Sequence, residues 1–217
     1  MNPLIKLSLG LALFFATSFM IAKSTGLFSI DQIEDWLESA QQLSPVYVGS
    51  IVAALLFADL FVAVPTLTVT ILSGYFLGFP AGTIAALVGT MMAGVVGYGI
   101  SFRFGDTVMR KISKDPEKIQ QIKATFHEHG FVMILLSRAA PIVPEISACL
   151  AGFTRMPFSR FITAWTLCTV PYVIIAAYAG SVSTLSNPKP AIFAAIGISG
   201  SLWLAWYVFR RKTKSAV

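Results

Sequence analysis

Apolar residues in this chain fall into long unbroken runs, separated by short polar or proline-bearing stretches. The first run, 4–22, is interrupted only by Lys6 and as a helix would cross about 30 Å of hydrocarbon. A cleaved leader is the rival reading, but Met20 and Ala22 ahead of Lys23 make a poor cleavage pair, which favours a retained helix. Ser29 and Gln32 then form a capping box. Ile30, Ile33, Leu37 and Ala40 fall at helical spacing, with Asp31, Glu34, Asp35 and Glu38 elsewhere, predicting a helix on the membrane surface or a solvated connector.

The run 46–64 is apolar apart from Asp59 and stops at Pro65, which cannot continue a helix. The following 66–79 is too short to span comfortably. Two such segments joined at an intramembrane proline read as a re-entrant hairpin or as a tight pair of short spans. A full span is predicted over 81–102, with Ala85, Gly89, Ala93, Gly97 and Ser101 at every fourth position as a close-packing face. The hydrophilic stretch 103–130 carries a short helix that opens at Asp115-Pro116, buries Ile119, Ile122 and Phe126, and closes at Gly130. A second broken segment follows: 131–137 runs into Arg138-Ala-Ala-Pro141-Ile-Val-Pro144-Glu145 and onward to Gly152. A span over 161–179 with Pro171, a turn at 187–190, a last span over 191–209 and a basic tail complete the chain.

Composition removes the soluble alternatives. Of 217 residues 56% are hydrophobic and 12% charged, and the mean hydropathy is +0.76. Too little charge remains to cover a water-facing surface. Two cysteines, both in apolar runs, exclude a disulfide scaffold. The net charge of +6 sits at the ends of apolar runs, which points to membrane topology and away from nucleic acid. With the hydrophilic loop cytoplasmic, 12 of the 16 Lys/Arg lie inside, the terminal Arg210, Arg211, Lys212 and Lys214 among them. The first hairpin then enters from outside and the second from inside. Pro65, Gly74 and Pro80 are echoed by Pro144, Gly152 and Pro157, an arrangement that in transporters marks a site where two broken segments meet.

Three groups of residues resemble the DedA superfamily, the VTT-domain (SNARE-associated Golgi protein) family. They are Pro65 with Gly74-Tyr-Phe-Leu-Gly78-Phe-Pro80-Ala-Gly82, then Phe102-Arg103-Phe104-Gly105, then Arg138-Ala-Ala-Pro141-Ile-Val-Pro144 with Ala151-Gly152 and Phe161. The resemblance runs from about Val46 to Ser181 and implies lipid movement across bilayers, of undecaprenyl phosphate in bacteria and of phospholipids in eukaryotes, on a fold of paired, oppositely inserted hairpins. Two departures separate this chain from the undecaprenyl-phosphate branch. Pro144 stands where a second arginine is usual, and the nearest acid before Pro65 is Asp59, six residues upstream. The chain resembles the R-x-x-P-x-x-P branch.

The chemistry expected of such a protein is a polar lane for a phosphate headgroup. Asp59, Arg138 and Glu145 are intramembrane charges, each costing about 2.5–3.5 kcal/mol at the midplane, so they must pair or face water. The half-helices after Pro65 and Pro144 would present free N–H groups to an anion, with Arg138 as its bidentate partner and Arg103 either at the lane's exit or as a snorkelling anchor. Glu145 or Asp59 is expected to couple transport to protons. A structural reading, in which Arg138 merely pairs with Glu145 or Asp59 to hold helices together, stands beside this one. His127-Glu128-His129 do not share a helix face, so no metal is expected, and neither a cofactor nor an enzymatic constellation is apparent.

The expected fold is an all-α polytopic membrane protein with two oppositely oriented re-entrant helical hairpins in an inverted repeat. It divides into an N-terminal part (1–45), a transport core (46–182) and a C-terminal helix with basic tail (183–217). Pro65, Gly74, Gly78, Pro141, Pro144 and Gly152 shape the hairpin tips and their packing. The expected function is a flippase or scramblase for an anionic lipid, polyprenyl phosphate or phospholipid, in a bacterial inner membrane with the C-terminus cytoplasmic. A proton-coupled carrier of a small anion and a non-transporting membrane organiser are the alternatives, and homo-oligomers are left open.

Overall fold

The computed structural model describes residues 44–62, 64–112, 116–139, 142–184 and 189–214. The expectations for the first helix, the surface helix, Pro141 and Asn187-Pro188 lie outside them. Every regular element among the described residues is helical: α1 (Pro45–Ala58), α2 (Thr66–Leu77), α3 (Phe79–Ile112), α4 (Pro116–Leu135), a 3-10 turn (Ser137–Ala139), α5 (Val143–Phe153), α6 (Phe158–Ser181) and α7 (Lys189–Lys214). Two helical stretches, Phe79–Thr107 and Phe158–Ser181, are long and apolar enough to cross a membrane. With the composition above, this is an all-helical membrane protein.

Local sequence explains most boundaries. Pro45 opens α1 at a position where a missing N–H costs nothing. Gly78, at φ 77°, lets the chain turn sharply between α2 and α3 where a Cβ would be strained. Pro171 sits inside α6 without ending it. Three boundaries differ from expectation: α1 ends at Ala58, where Asp59 caps it, rather than at Pro65; α3 runs past 102 to Ile112; and Gly130 does not close α4, which continues to Leu135. A Cβ at Gly130 would lie 2.6 Å from the Phe126 ring, so the glycine makes room for that buried side chain. The second broken segment is therefore entered by a continuous 20-residue helix, not by a separate short one.

Small residues set the helix spacing. A Cβ on Gly74 would collide with the backbone oxygen of Ala177, and one on Gly180 with that of Ile71, so α2 and α6 touch backbone to backbone at two places. Gly89 brings α3 to within reach of Ala53 and Leu56 on α1, and Gly152 lets α5 lie against Tyr98 and Phe102 on α3. The predicted face of α3 is thus its packing face, with Ala85, Gly89, Ala93 and Gly97 buried. Two apolar clusters result. One gathers Val52, Leu56, Val69, Ala86 and Val173; the other gathers Tyr98, Phe126, Ala148, Phe161 and Trp165. The charged residues lie where these clusters meet.

Candidate functional site

Two interruptions in the helical framework build the site. The first follows α1. Asp59 caps that helix with its backbone and turns its carboxylate forward, where Oδ1 accepts a hydrogen bond from the Val64 N–H at 2.7 Å and Oδ2 accepts one from the Thr66 hydroxyl at 2.6 Å. The break before Pro65 is thus closed by the side chain of a residue that is itself 6% exposed. The second interruption lies between α4 and α5. Ser137–Ala139 tighten into the 3-10 turn, and Ile142 adopts φ 73°, a left-handed conformation that a β-branched residue rarely takes. Val143 and Pro144 then start α5, which places Glu145 in its first turn, where a carboxylate suits the positive end of the helix.

Arg138 projects from the 3-10 turn toward α6, and three α6 residues receive it. Its Nη2 donates to the Thr169 hydroxyl at 3.2 Å, and its guanidinium carbon lies 5.3 Å from the Trp165 ring and 5.1 Å from the Tyr172 ring. Trp165 is fixed in turn: its Nε1–H donates to the Thr90 carbonyl at 3.3 Å, and its indole occupies the space a Cβ on Gly94 would fill. No ion pair joins Arg138 to Asp59 or Glu145 among the described residues, although all three interact electrostatically and the two carboxyl groups approach each other directly. The Arg138 Nε is buried without a hydrogen-bond partner.

All three charged residues line two adjoining spaces. The smaller, of about 10 Å³, is ringed by Leu56, Asp59, Thr90, Arg138, Glu145 and Trp165 and has room for about one water. The larger is a cavity of about 450 Å³ bounded by Asp59, Thr66, Arg138, Pro144, Glu145 and Tyr172, with Ile198, Ser199 and Trp203 of α7 forming a further wall. Such a lining offers a guanidinium to an anion and hydrocarbon side chains to an apolar group.

Residues 64–182 match the family model described as VTT domain, more than half of the chain. The chain belongs to the VTT-domain family. Two relatives from Bacillus subtilis (strain 168) are similar over part of their length. A protein named "Uncharacterized protein YqeD" is 24% identical over 160 residues, covering 73% of this chain and 75% of the relative. "Undecaprenyl phosphate transporter A" is 27% identical over 108 residues, 48% of this chain, so that the chain spans about half (54%) of the transporter's own length. No solved structure matches. The match begins at Val64, so Asp59 and the α7 residues Ile198, Ser199 and Trp203 border the cavity from outside the matched segment.

Of the residues singled out in the sequence, Asp59, Pro65, Arg138, Pro144 and Glu145 come together at this cavity of the VTT-domain protein. Gly74 and Gly152 sit at helix contacts and Gly78 at the α2–α3 turn. Arg103 is exposed on α3 and borders neither space. Sequence reasoning missed Trp165, Thr169 and Tyr172, whose spacing along α6 places them on one face, and missed Thr66 as a partner of Asp59. His127 and His129 lie exposed and half-buried on α4, and no cluster of three or more potential metal ligands occurs among the described residues.

Proposed function

We propose that this VTT-domain protein is a lipid transporter, a flippase or scramblase, that carries a phosphorylated headgroup through the membrane. The observation that carries this reading is a cavity of about 450 Å³ between two helix breaks, lined by one arginine that makes no salt bridge and by two buried carboxyl groups. A charged group left in hydrocarbon costs about 2.5–3.5 kcal/mol, and proteins keep such groups where function uses them. A phosphate crossing the bilayer meets the same barrier. A site that offers it a guanidinium lowers that barrier while the chains stay in lipid.

The likeness to undecaprenyl phosphate transporter A supports polyprenyl phosphate as a substrate class, and phospholipids share its phosphate chemistry. In this reading α1–α2 and α4–α5 are re-entrant hairpins inserted from opposite faces as halves of an inverted repeat. Residues 46–182 form the transport core, and the basic residues place the C-terminus inside a bacterial inner membrane. The facing carboxyl groups of Asp59 and Glu145 are the groups through which protons would couple to transport, and no cofactor is required.

The test is reconstitution of the full chain into phosphatidylcholine and phosphatidylglycerol vesicles. Labelled polyprenyl phosphate or phospholipid should change leaflet at a rate that Arg138→Ala abolishes. Equal rates in empty vesicles and in vesicles holding correctly inserted protein would refute the reading.

A further inference from the structure

The α7 helix packs on α6 and the 3-10 turn and lies beyond the segment that matches the family. Most of its large side chains face outward: Ile192, Phe193, Ile196 and Leu204 are all more than half exposed. Three residues are placed differently. Ile198, only 8% exposed, borders the large cavity together with Ser199 and Trp203, the latter two a helical turn apart on one face. Trp203 borders the cavity and is nevertheless 61% exposed. An indole that belongs both to the cavity and to the outer surface stands at its mouth, and the surface around an apolar helix of a membrane protein is lipid. Beside it, a Cβ on Gly197 or Gly200 would meet nothing within 4 Å, so the backbone there is open.

The lining of the cavity therefore has two chemical parts. Asp59, Thr66, Arg138 and Glu145 supply the polar part. Ile198 and Trp203, with Val64, Leu67 and Ile142, supply the apolar part. A volume of about 450 Å³ accommodates a headgroup and its first few carbons but not a whole lipid. We infer that Ile198 and Trp203 form a subsite for the hydrocarbon chain of a phosphorylated lipid, opening the cavity sideways into the bilayer while Arg138 holds the phosphate. This deepens the lipid-transport reading and rests on it. The ligand class is a long-chain phosphate amphiphile, not a free water-soluble phosphate, and the wall at α7 selects among chain types.

The experiment compares polyprenyl phosphate, diacyl phosphatidic acid and water-soluble glycerol phosphate in phosphatidylcholine/phosphatidylglycerol vesicles holding the full chain. Trp203→Ala should change the ratio of the two lipid rates about tenfold, the discrimination an apolar contact commonly provides. Trp203→Phe should keep the wild-type ratio, and Ile198→Ala should shift it without depending on Trp203. Arg138→Ala should depress both lipids together. Wild-type transport with one unchanged ratio in both Trp203→Ala and Ile198→Ala overturns the subsite and leaves the transport reading intact. Glycerol phosphate moving as fast as the lipids overturns it too. A wild type inert toward every lipid removes the transport reading and this inference with it.

Discussion

Arg138 gives its hydrogen bond to Thr169, not to Asp59 or Glu145. That choice leaves its positive charge available, and Thr169, fully buried on α6, becomes the residue that aims it. Thr169→Val keeps the shape and removes the oxygen. A hydrogen bond to a charged group contributes about 1.5–3 kcal/mol, so transport should fall about tenfold or more. Thr169→Ser should retain most of the activity, and vesicle assays of the two variants side by side decide the point.

Tyr172 supplies a ring face at 5.1 Å and Trp165 another at 5.3 Å. Contacts of this kind contribute about 0.5–2 kcal/mol each. Tyr172→Phe keeps the face and should transport nearly as wild type, whereas Tyr172→Leu should lose several-fold in rate with little change in thermal stability. Equal losses in both would show that the hydroxyl, not the ring, matters.

Asp59 has two tasks that substitution can separate. Asp59→Asn keeps an acceptor for the Val64 N–H and removes the charge; Asp59→Ala leaves that buried N–H without a partner. The unsatisfied donor costs about 1–3 kcal/mol. The alanine variant should melt well below wild type in detergent and the asparagine variant close to it, while both lose the charge-dependent part of transport.

The double contact of α2 with α6 predicts a steep response to single methyl groups. Gly74→Ala and Gly180→Ala each push a Cβ into a backbone oxygen of the other helix, a clash that no side-chain rotation relieves. Overpacking of this kind costs about 1–3 kcal/mol or more. Thermal unfolding in detergent should show both variants destabilised, and Gly197→Ala on α7, where the space is open, unaffected.

Asp106 bridges Lys123 at 2.9 Å and Arg155 at 3.1 Å, joining α3 to α4 and to the end of α5. Its side chain is 38% exposed, so screening keeps the contribution small. Asp106→Asn should lower stability by less than about 1 kcal/mol, and high salt should erase the difference.

The helix breaks were legible in the sequence because a proline or a charge inside an apolar run is costly in a membrane and stands out against its neighbours. Asp59, Pro65, Arg138, Pro144 and Glu145 were all visible for that reason, and they line one cavity. What surrounds Arg138 was hidden. Trp165, Thr169 and Tyr172 repeat at a spacing that any packed helix shows, and only the turn of the chain at Ser137–Ala139 reveals that a guanidinium fills the space between them. Charge alone suggested a carboxylate partner for it, because pairing is decided by three-dimensional reach. Gly130 misled for a related reason. A glycine ending a hydrophilic helical stretch resembles a cap, but the Phe126 ring that needs its missing Cβ lies on the same helix and leaves no mark in the pattern.

Ile142 holds the left-handed turn just ahead of α5 against its own steric preference, a cost of order 1–3 kcal/mol. Glycine would take that shape without strain, yet it would take many others as readily. A bulky branched residue there trades stability for a narrower set of loop geometries. The start of α5 is in this sense pre-tensioned, and relaxing it would loosen the placement of Glu145 even as the chain became easier to fold.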